Sequence, residues 1–246
     1  MQKRVKRALV GTAIALLLPA LFFGGYMWKA KTEVKKMSPL ETGEVAPGIF
    51  ALKDAFVNMY LIRDDSTYIS IDAGNSTQGI AAELAKLGIA ASQVNAVFLT
   101  HTDGDHVGAL ALFSQAKIYL SSQEEQMIDG TKSRFLIFKN RISLADKGLV
   151  GDQQTLLIGN IRVKGLLTPG HTPGSMCFLV NDSCLFTGDA LSLKFGHMDK
   201  FNTFFNMDTD RAMQSMAKLK NLHDISWIFT AHYGSSHNFA EAVSGL

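Results

Sequence analysis

The stretch Thr100-His101-Thr102-Asp103-Gly104-Asp105-His106-Val107-Gly108 places two imidazoles and two carboxylates within six residues. It directly follows the apolar run 94–99, which predicts a short buried strand. Four such polar groups on one loop would repel and desolvate one another unless a cation neutralised them. The stretch therefore predicts a metal site at the end of a strand.

Three later loops each carry one candidate ligand directly after an apolar run. His171 lies in Thr-Pro-Gly-His-Thr-Pro-Gly, Asp189 in Thr-Gly-Asp-Ala, and His232 in Thr-Ala-His-Tyr-Gly. Loops on a rigid scaffold commonly carry chemistry in this way. Taken singly, the three residues also fit a turn residue, a helix cap and a half-buried histidine. The recurrence of the pattern on four loops favours a shared site.

Together these motifs resemble the metallo-β-lactamase fold superfamily over about residues 45–246. The matching order is His-x-Asp-x-Asp-His, Gly-His-Thr-Pro-Gly-Ser, Thr-Gly-Asp-Ala and a late His-Tyr-Gly, preceded by Asp-Ala-Gly at 72–74. The resemblance implies an α/β fold, a four-layer αβ/βα sandwich. It also implies that Asp72 is structural and supports the metal loops by hydrogen bonds, as groups behind metal ligands commonly do.

The resemblance further implies two adjacent metal sites. The first ligand set is His101, Asp103 and His171, the second ligand set is Asp105, His106 and His232, and Asp189 bridges them. Asp103 stands where the family usually has histidine. Aspartate can bind zinc at about 2.0–2.2 Å, but a third carboxylate tilts the preference toward manganese or iron. We expect two divalent metal ions, zinc before manganese or iron.

This ligand set predicts a metal-dependent hydrolase. Two ions in such a site share a hydroxide that attacks a carbonyl or phosphoryl group. We expect a small-molecule substrate with an ester, thioester, lactone or amide-like bond, and Asp105 as the candidate catalytic residue, a ligand that can also accept a proton. A serine hydrolase is disfavoured because the sequence contains no Gly-x-Ser-x-Gly motif.

Three alternatives remain open. A mononuclear iron oxidoreductase of this fold, resembling the persulfide dioxygenases, would use His101, His171 and Asp189. A phosphodiesterase- or nuclease-like hydrolase would share the His-x-Asp-x-Asp-His variant, and a tethered binding protein would carry a decayed site. The net charge is +2, and most of the basic excess lies in the first 36 residues, so no nucleic-acid partner is expected.

The N-terminal region predicts a membrane anchor. Residues 8–28 carry no charge and are long enough to cross a bilayer as a helix, with basic residues on both sides. A cleaved signal peptide is the alternative, but this stretch is longer than usual for one and does not end in an Ala-x-Ala cleavage site. We expect a basic tail at 1–7, a single-pass anchor at 8–28, a polar linker at 29–44 and an extracytoplasmic catalytic domain at 45–246. The sequence does not indicate an oligomeric state.

Hydrophobic patterns within the catalytic domain predict alternating strands and helices. Strands are expected at 48–52, 59–63, 68–72, 94–100, 117–120, 155–158, 161–166, 176–180, 184–187 and 227–230. Helices are expected at 78–87, 107–113 and 209–219, the last capped by Asp208 or Thr209. Residues 124–149 and 194–205 are expected to wall the site, although no individual substrate-binding residue is assigned. Cys177 and Cys184 are expected to be free thiols.

Overall fold

The computed structural model describes residues 19, 21–134, 140, 142, 144 and 146–244. The chain forms two compact units, Met1–Met37 and Ser38–Leu246. In the first unit, residues 21–34 form helix α1. Most of the predicted anchor at 8–28 lies outside the described residues, and none of the helices within them has the length and apolarity needed to cross a membrane. The anchor stays a prediction.

The second unit begins at Ser38, before the predicted end of the linker at residue 44. The backbone N–H of Ser38 donates to the carbonyl of His232 at 2.8 Å. Leu40 exchanges two hydrogen bonds with the side chain of Asn58, at 2.7 and 2.9 Å. These contacts hold residues 38–40 against the second unit.

The first sheet has seven strands in chain order. The first four strands pair antiparallel, and the fourth to the seventh pair parallel. They are β1 (Gly43–Ala46), β2 (Ile49–Asp54), β3 (Val57–Asp64), β4 (Thr67–Ile71), β5 (Val94–Phe98), β6 (Lys117–Ser121) and β7 (Lys147–Val150). Helix α2, Thr77–Leu87, connects β4 to the parallel β5, because parallel neighbours require a crossover. Ser76 caps it by accepting a hydrogen bond from Gly79.

The second sheet has six strands in the order β15-β14-β11-β10-β9-β8. They are β8 (Thr155–Ile158), β9 (Ile161–Leu167), β10 (Met176–Val180), β11 (Cys184–Phe186), β14 (Trp227–Phe229) and β15 (Ser235–Ser236). A separate hairpin pairs β12 (Leu191–Lys194) with β13 (His197–Lys200). The helices are α3 (Gly104–Val107), α4 (Glu125–Ile128), α5 (Thr209–Leu219) and α6 (Phe239–Val243). Asp208 caps α5, as predicted.

Burial divides the fold into four layers. Tyr60 and Ile62 of β3 pack between the sheets with Phe178 and Phe186, whereas Met59 and Leu61 of the same strand pack in the cluster under α2. A third cluster lies between the second sheet and α5. Because successive side chains of a strand point to opposite faces, a strand covered on both sides is apolar throughout. The predicted α/β fold is confirmed.

One predicted helix is wrong. In place of a helix at 107–113, α3 ends at Val107 and a separate 3₁₀ turn covers Leu110–Phe113. The reason lies in the backbone, since the N–H of Gly108 donates to the carbonyl of Gly74 and that of Ala109 donates to the carbonyl of Ala73. Amides that bind a neighbouring loop cannot continue a helix.

Candidate metal centre

The seven predicted ligands converge at one edge of the sandwich, where β5, β9, β11 and β14 end. Three groups of ligand atoms lie within 4.8 Å of one another: His101, Asp103 and His171; His101, His106 and Asp189; and Asp105, His106 and His232. All four histidines are nearly fully buried. The structure therefore brings together both predicted ligand sets and Asp189, the residue predicted to bridge them.

The second ligand set and Asp189 have atom spacings that suit a zinc ion. Oδ2 of Asp105 lies 3.7 Å from Nε2 of His106 and 3.5 Å from Nε2 of His232. Oδ1 of Asp189 lies 3.6 and 3.1 Å from the same two nitrogens. Ligands at about 2.0–2.2 Å from a tetrahedral ion are separated from one another by about 3.3–3.6 Å. The four distances, 3.1–3.7 Å, are close to the spacing expected of atoms that share one ion.

Hydrogen bonds orient two of these histidines so that Nε2 faces the centre. Nδ1 of His106 donates to Oδ2 of Asp72 at 2.8 Å, and Nδ1 of His232 donates to the carbonyl of Phe56 at 2.7 Å. A partner on one ring nitrogen fixes the tautomer and leaves the other nitrogen free to bind a metal.

The two remaining histidines follow the same rule. Nδ1 of His101 lies 3.1 Å from Oγ1 of Thr100, and Nδ1 of His171 lies 3.3 Å from Oδ1 of Asn206. Asn206 is a supporting residue that the sequence did not reveal, because it lies on a loop without a motif.

Asp72 occupies the position that its predicted supporting role requires. It is 2% exposed and accepts hydrogen bonds from the backbone and side chain of Thr100 as well as from His106. Its φ of 61° lies in the left-handed region, which aspartate tolerates better than most residues. Asp72 thereby joins the end of β4 to the loop that carries His101 and to α3.

Three buried polar atoms have no hydrogen-bond partner among the described residues, namely Nε2 of His101, Nε2 of His106 and Oδ1 of Asp189. Leaving a buried donor or acceptor unsatisfied costs about 1–3 kcal/mol. All three atoms point into the same centre, so one divalent cation could satisfy them together. The donor set of imidazoles and carboxylates fits such an ion.

Opposite charges in the centre shift the pKa of His106, His232 and Asp189 toward the charged form of each group. Burial lowers the pKa of His106, but the surrounding carboxylates, Asp72 first, outweigh burial and raise the pKa to about 10. Burial likewise lowers the pKa of His232, and the charge of Asp189 more than compensates. Burial raises the pKa of Asp189, but His232 and His106 hold it below its usual range.

The first ligand set contains a residue that the sequence did not reveal. Nε of Arg134 donates to Oδ1 of Asp103 at 3.0 Å, and Nη2 contacts both Oδ2 of Asp103 and Nε2 of His171. Burial raises the pKa of Asp103, but the charge of Arg134 keeps it well below the usual value. Burial and then Arg134 lower the pKa of His171 to about 4.

Glu124 is a second residue that sequence reasoning did not identify. It is fully buried and accepts hydrogen bonds from the backbone and side chain of Thr102, the side chain of Thr172 and the backbone of Gly174. Thr102 adjoins His101, and Thr172 adjoins His171. Glu124 therefore ties together the two loops that carry the first ligand set.

Of the two segments predicted to wall the site, 194–205 lies entirely within the described residues and 124–149 only in part. In the 194–205 segment, the ring of Phe201 is buried and lies 5.0 Å from the ring of His171, whereas Phe195 is 95% exposed. The ring of Phe56 stacks on His232 at 5.8 Å. Within 124–149, Met127 is a buried side chain, and residues 135–139 lie outside the described residues.

The fold and the site define a class of protein. The sequence matches the metallo-β-lactamase superfamily over residues 52–232, a range that includes all seven predicted ligands. The chain belongs to this superfamily.

Named relatives are similar to parts of the chain. The probable polyketide biosynthesis zinc-dependent hydrolase PksB of Bacillus subtilis is 37% identical over 137 residues, 54% of this chain and 54% of that protein. The chain thus spans about half the length of PksB. A hydroxyacylglutathione hydrolase of Glaesserella parasuis is 28% identical over 201 residues, 78% of this chain and 72% of that protein.

Solved structures show the same fold. BJP-1, a subclass B3 metallo-β-lactamase of Bradyrhizobium japonicum, superposes with a TM-score of 0.63 at 19% identity, over 80% of this chain and 79% of that chain. A family protein from Thermus thermophilus superposes with a TM-score of 0.62 at 20% identity, over 81% of this chain and 78% of that chain. At these identities the likeness concerns the fold alone.

Proposed function

We propose that the chain is a metal-dependent hydrolase that cleaves an ester, thioester, lactone or amide-like bond of a small molecule. The observation that carries the proposal is the convergence of buried imidazole and carboxylate atoms, three of them unpartnered among the described residues, on one centre. Membership of a superfamily whose named relatives include zinc-dependent hydrolases supports it.

Bound divalent ions, zinc foremost, would supply an activated water as nucleophile and would polarise the carbonyl oxygen under attack. The first ligand set decides whether the centre would hold one ion or two. The chain's own residues hold the geometry, because Asp72 and the carbonyl of Phe56 fix the rings of His106 and His232. The side chain of Asp105 is 22% exposed, so it is placed to accept a proton from an incoming group.

The surroundings of the centre favour an acyl substrate over a phosphodiester. The half-buried ring of Phe56 lies against His232, and the buried ring of Phe201 backs His171 from the core, so the apolar surface offered to a ligand is that of Phe56. Apolar walls of this kind bind the carbon skeleton of a ligand, while a few polar groups orient it. Two relatives are named for the hydrolysis of hydroxyacylglutathione, which makes an acyl-glutathione thioester the first probe to try.

A panel of generic probes tests the proposal. The purified chain supplied with zinc is assayed with an acyl-glutathione thioester, an aryl ester, a lactone and a phosphodiester. We expect carbonyl substrates to be cleaved, and we expect Asp189→Ala to lose more than the roughly 10–100-fold that removal of an outer hydrogen-bond partner costs. Asp146→Ala, a change at an exposed carboxylate paired with Lys117, should keep full activity. Cleavage of the phosphodiester alone, or full turnover by Asp189→Ala, would contradict the proposal.

A further inference from the structure

The guanidinium of Arg134 lies inside the first ligand set. It forms a two-point contact with the carboxylate of Asp103, through Nε at 3.0 Å and through Nη2. Nη2 also contacts Nε2 of His171, the atom that would face an ion in this set. Asn140 donates to the same carboxylate at 3.0 Å, so both oxygens of Asp103 are engaged.

Every N–H of this guanidinium has an acceptor. Arginine carries five N–H donors. Nε and Nη2 use Asp103 and His171, and Nη1 donates to the carbonyl of His171 at 3.2 Å and to the carbonyl of Phe205. The side chain is 14% exposed. A guanidinium held at all five positions has no donor left for a substrate, which distinguishes it from a substrate-binding arginine.

We propose that Arg134 takes the place of a metal ion in the first ligand set, so that the chain holds one divalent ion, in the second ligand set with Asp189. The inference rests on the proposed metal-dependent function. A guanidinium and an ion cannot both use Oδ2 of Asp103 and Nε2 of His171, and their like charges repel.

This arrangement explains why an aspartate occupies position 103. A carboxylate matches the fork of a guanidinium and binds it at two points, which an imidazole cannot do. Asp103, which stands where the family usually has histidine, is thus matched by Arg134.

The charges of the three carboxylates among the predicted ligands balance around one ion. Arg134 neutralises Asp103, and one divalent ion neutralises Asp105 and Asp189. His101 would remain next to that ion, because one of its ring nitrogens lies within 4.8 Å of the ligand atoms of His106 and Asp189. The same geometry argues against a mononuclear iron site built on His171, since Arg134 contacts its Nε2.

Counting zinc tests the inference. The full chain is equilibrated with zinc chloride, freed of unbound metal by gel filtration and analysed by elemental mass spectrometry. We expect one zinc per wild-type chain and two per Arg134→Ala chain, because the substitution releases Asp103 and His171. Arg162→Ala, which removes an exposed arginine that also pairs with an aspartate, should stay at one.

Other counts overturn the inference. Two zinc ions per wild-type chain, none, or one in a folded Arg134→Ala chain would each do so. If Arg134→Ala does not fold and the wild type holds one zinc, Asp105→Asn decides: the count falls to zero if the second ligand set holds the ion, and a count that stays at one overturns the inference. Two ions together with carbonyl hydrolysis would leave the proposed function standing, whereas one ion without hydrolysis of any probe would end that function and keep the inference.

Discussion

Each histidine of the centre uses Nδ1 for support and turns Nε2 inward, and Asp72 supplies the strongest of these supports. Its carboxylate binds both His106 and Thr100, so one side chain fixes a ligand and the loop beside it. Asp72 is not among the residues whose ligand atoms group together at the centre, so its influence passes through the ring of His106.

Asp72→Asn should weaken zinc binding without unfolding the chain. Asparagine is of equal size and tolerates the positive φ of this position, but its amide cannot replace the charge that orients His106. We expect zinc affinity to fall about 10–100-fold in a competition titration with a chelator. Asp65→Asn serves as control, since Asp65 also has a positive φ but is exposed. Equal affinities for Asp72→Asn and the wild type would show that Asp72 only fills space.

The ligands could be found in the sequence because their spacing is a local property. His101, Asp103, Asp105 and His106 lie on one short loop, and their chemistry is visible before any folding is considered. Arg134 and Glu124 could not be found this way, because their partners are 31 and 22 residues away in sequence. Only the packing of 124–134 against the loops reveals what they do.

Helix α3 is a single turn that carries two ligands, and the loop at Gly74–Ser76 fixes its position. Gly108, the residue that follows α3, donates to the carbonyl of Gly74. A Cβ at Gly108 would overlap the carbonyl of Asn75, which is backbone and cannot rotate away. Absence of a side chain at this position therefore lets α3 approach the loop.

Gly108→Ala should displace α3 and with it Asp105 and His106. Overpacking of this kind costs typically about 1–3 kcal/mol, and we expect a loss of that size in the free energy of unfolding from a denaturant titration, together with weaker zinc binding. Gly104→Ala, at the other end of α3, is the matched control, because a Cβ there meets no described atom within 4 Å. Equal stability of the two variants would contradict this account.

Most strands were predictable because they are buried and apolar, and their bounds agree with the structure within a few residues. The β12–β13 hairpin was not predicted as strands. Its two turn residues, Phe195 and Gly196, have φ of 53° and 84°. Two-residue hairpin turns are usually predicted from Asn-Gly or Asp-Gly, and Phe-Gly does not indicate such a turn.

The metal-free chain concentrates opposite charges in a buried volume, and zinc must displace protons from it. The raised pKa of His106 means that the fold is stabilised by its proton below about pH 6.5, and that this stabilisation is lost as the pH rises through about 10. Zinc binding has the opposite dependence, because a ligand must lose its proton first. The contribution of His106 to the stability of the metal-free chain and the zinc affinity therefore change in opposite directions as the pH rises from about 6.5 to about 10.

Zinc should accordingly stabilise the chain more at high pH than at low pH. We expect the difference in melting temperature with and without zinc to widen between about pH 6 and about pH 9, since each protonated ligand opposes binding by about tenfold per pH unit. Thermal unfolding followed by circular dichroism measures this difference, with magnesium as the control ion. A difference that shrinks as the pH rises would show that His106 and His232 do not bind the metal.

The contacts of residues 38–40 bear on where the chain can be cut. Asn58, which grips Leu40, also donates its backbone N–H to Ala231, and Ser38 binds the carbonyl of His232. The motifs alone would place the start of the domain at residue 45. A chain shortened to that point loses all the contacts of residues 38–40, including the one with the backbone of His232. Samples for crystallisation or assay that start before Ser38 retain these hydrogen bonds.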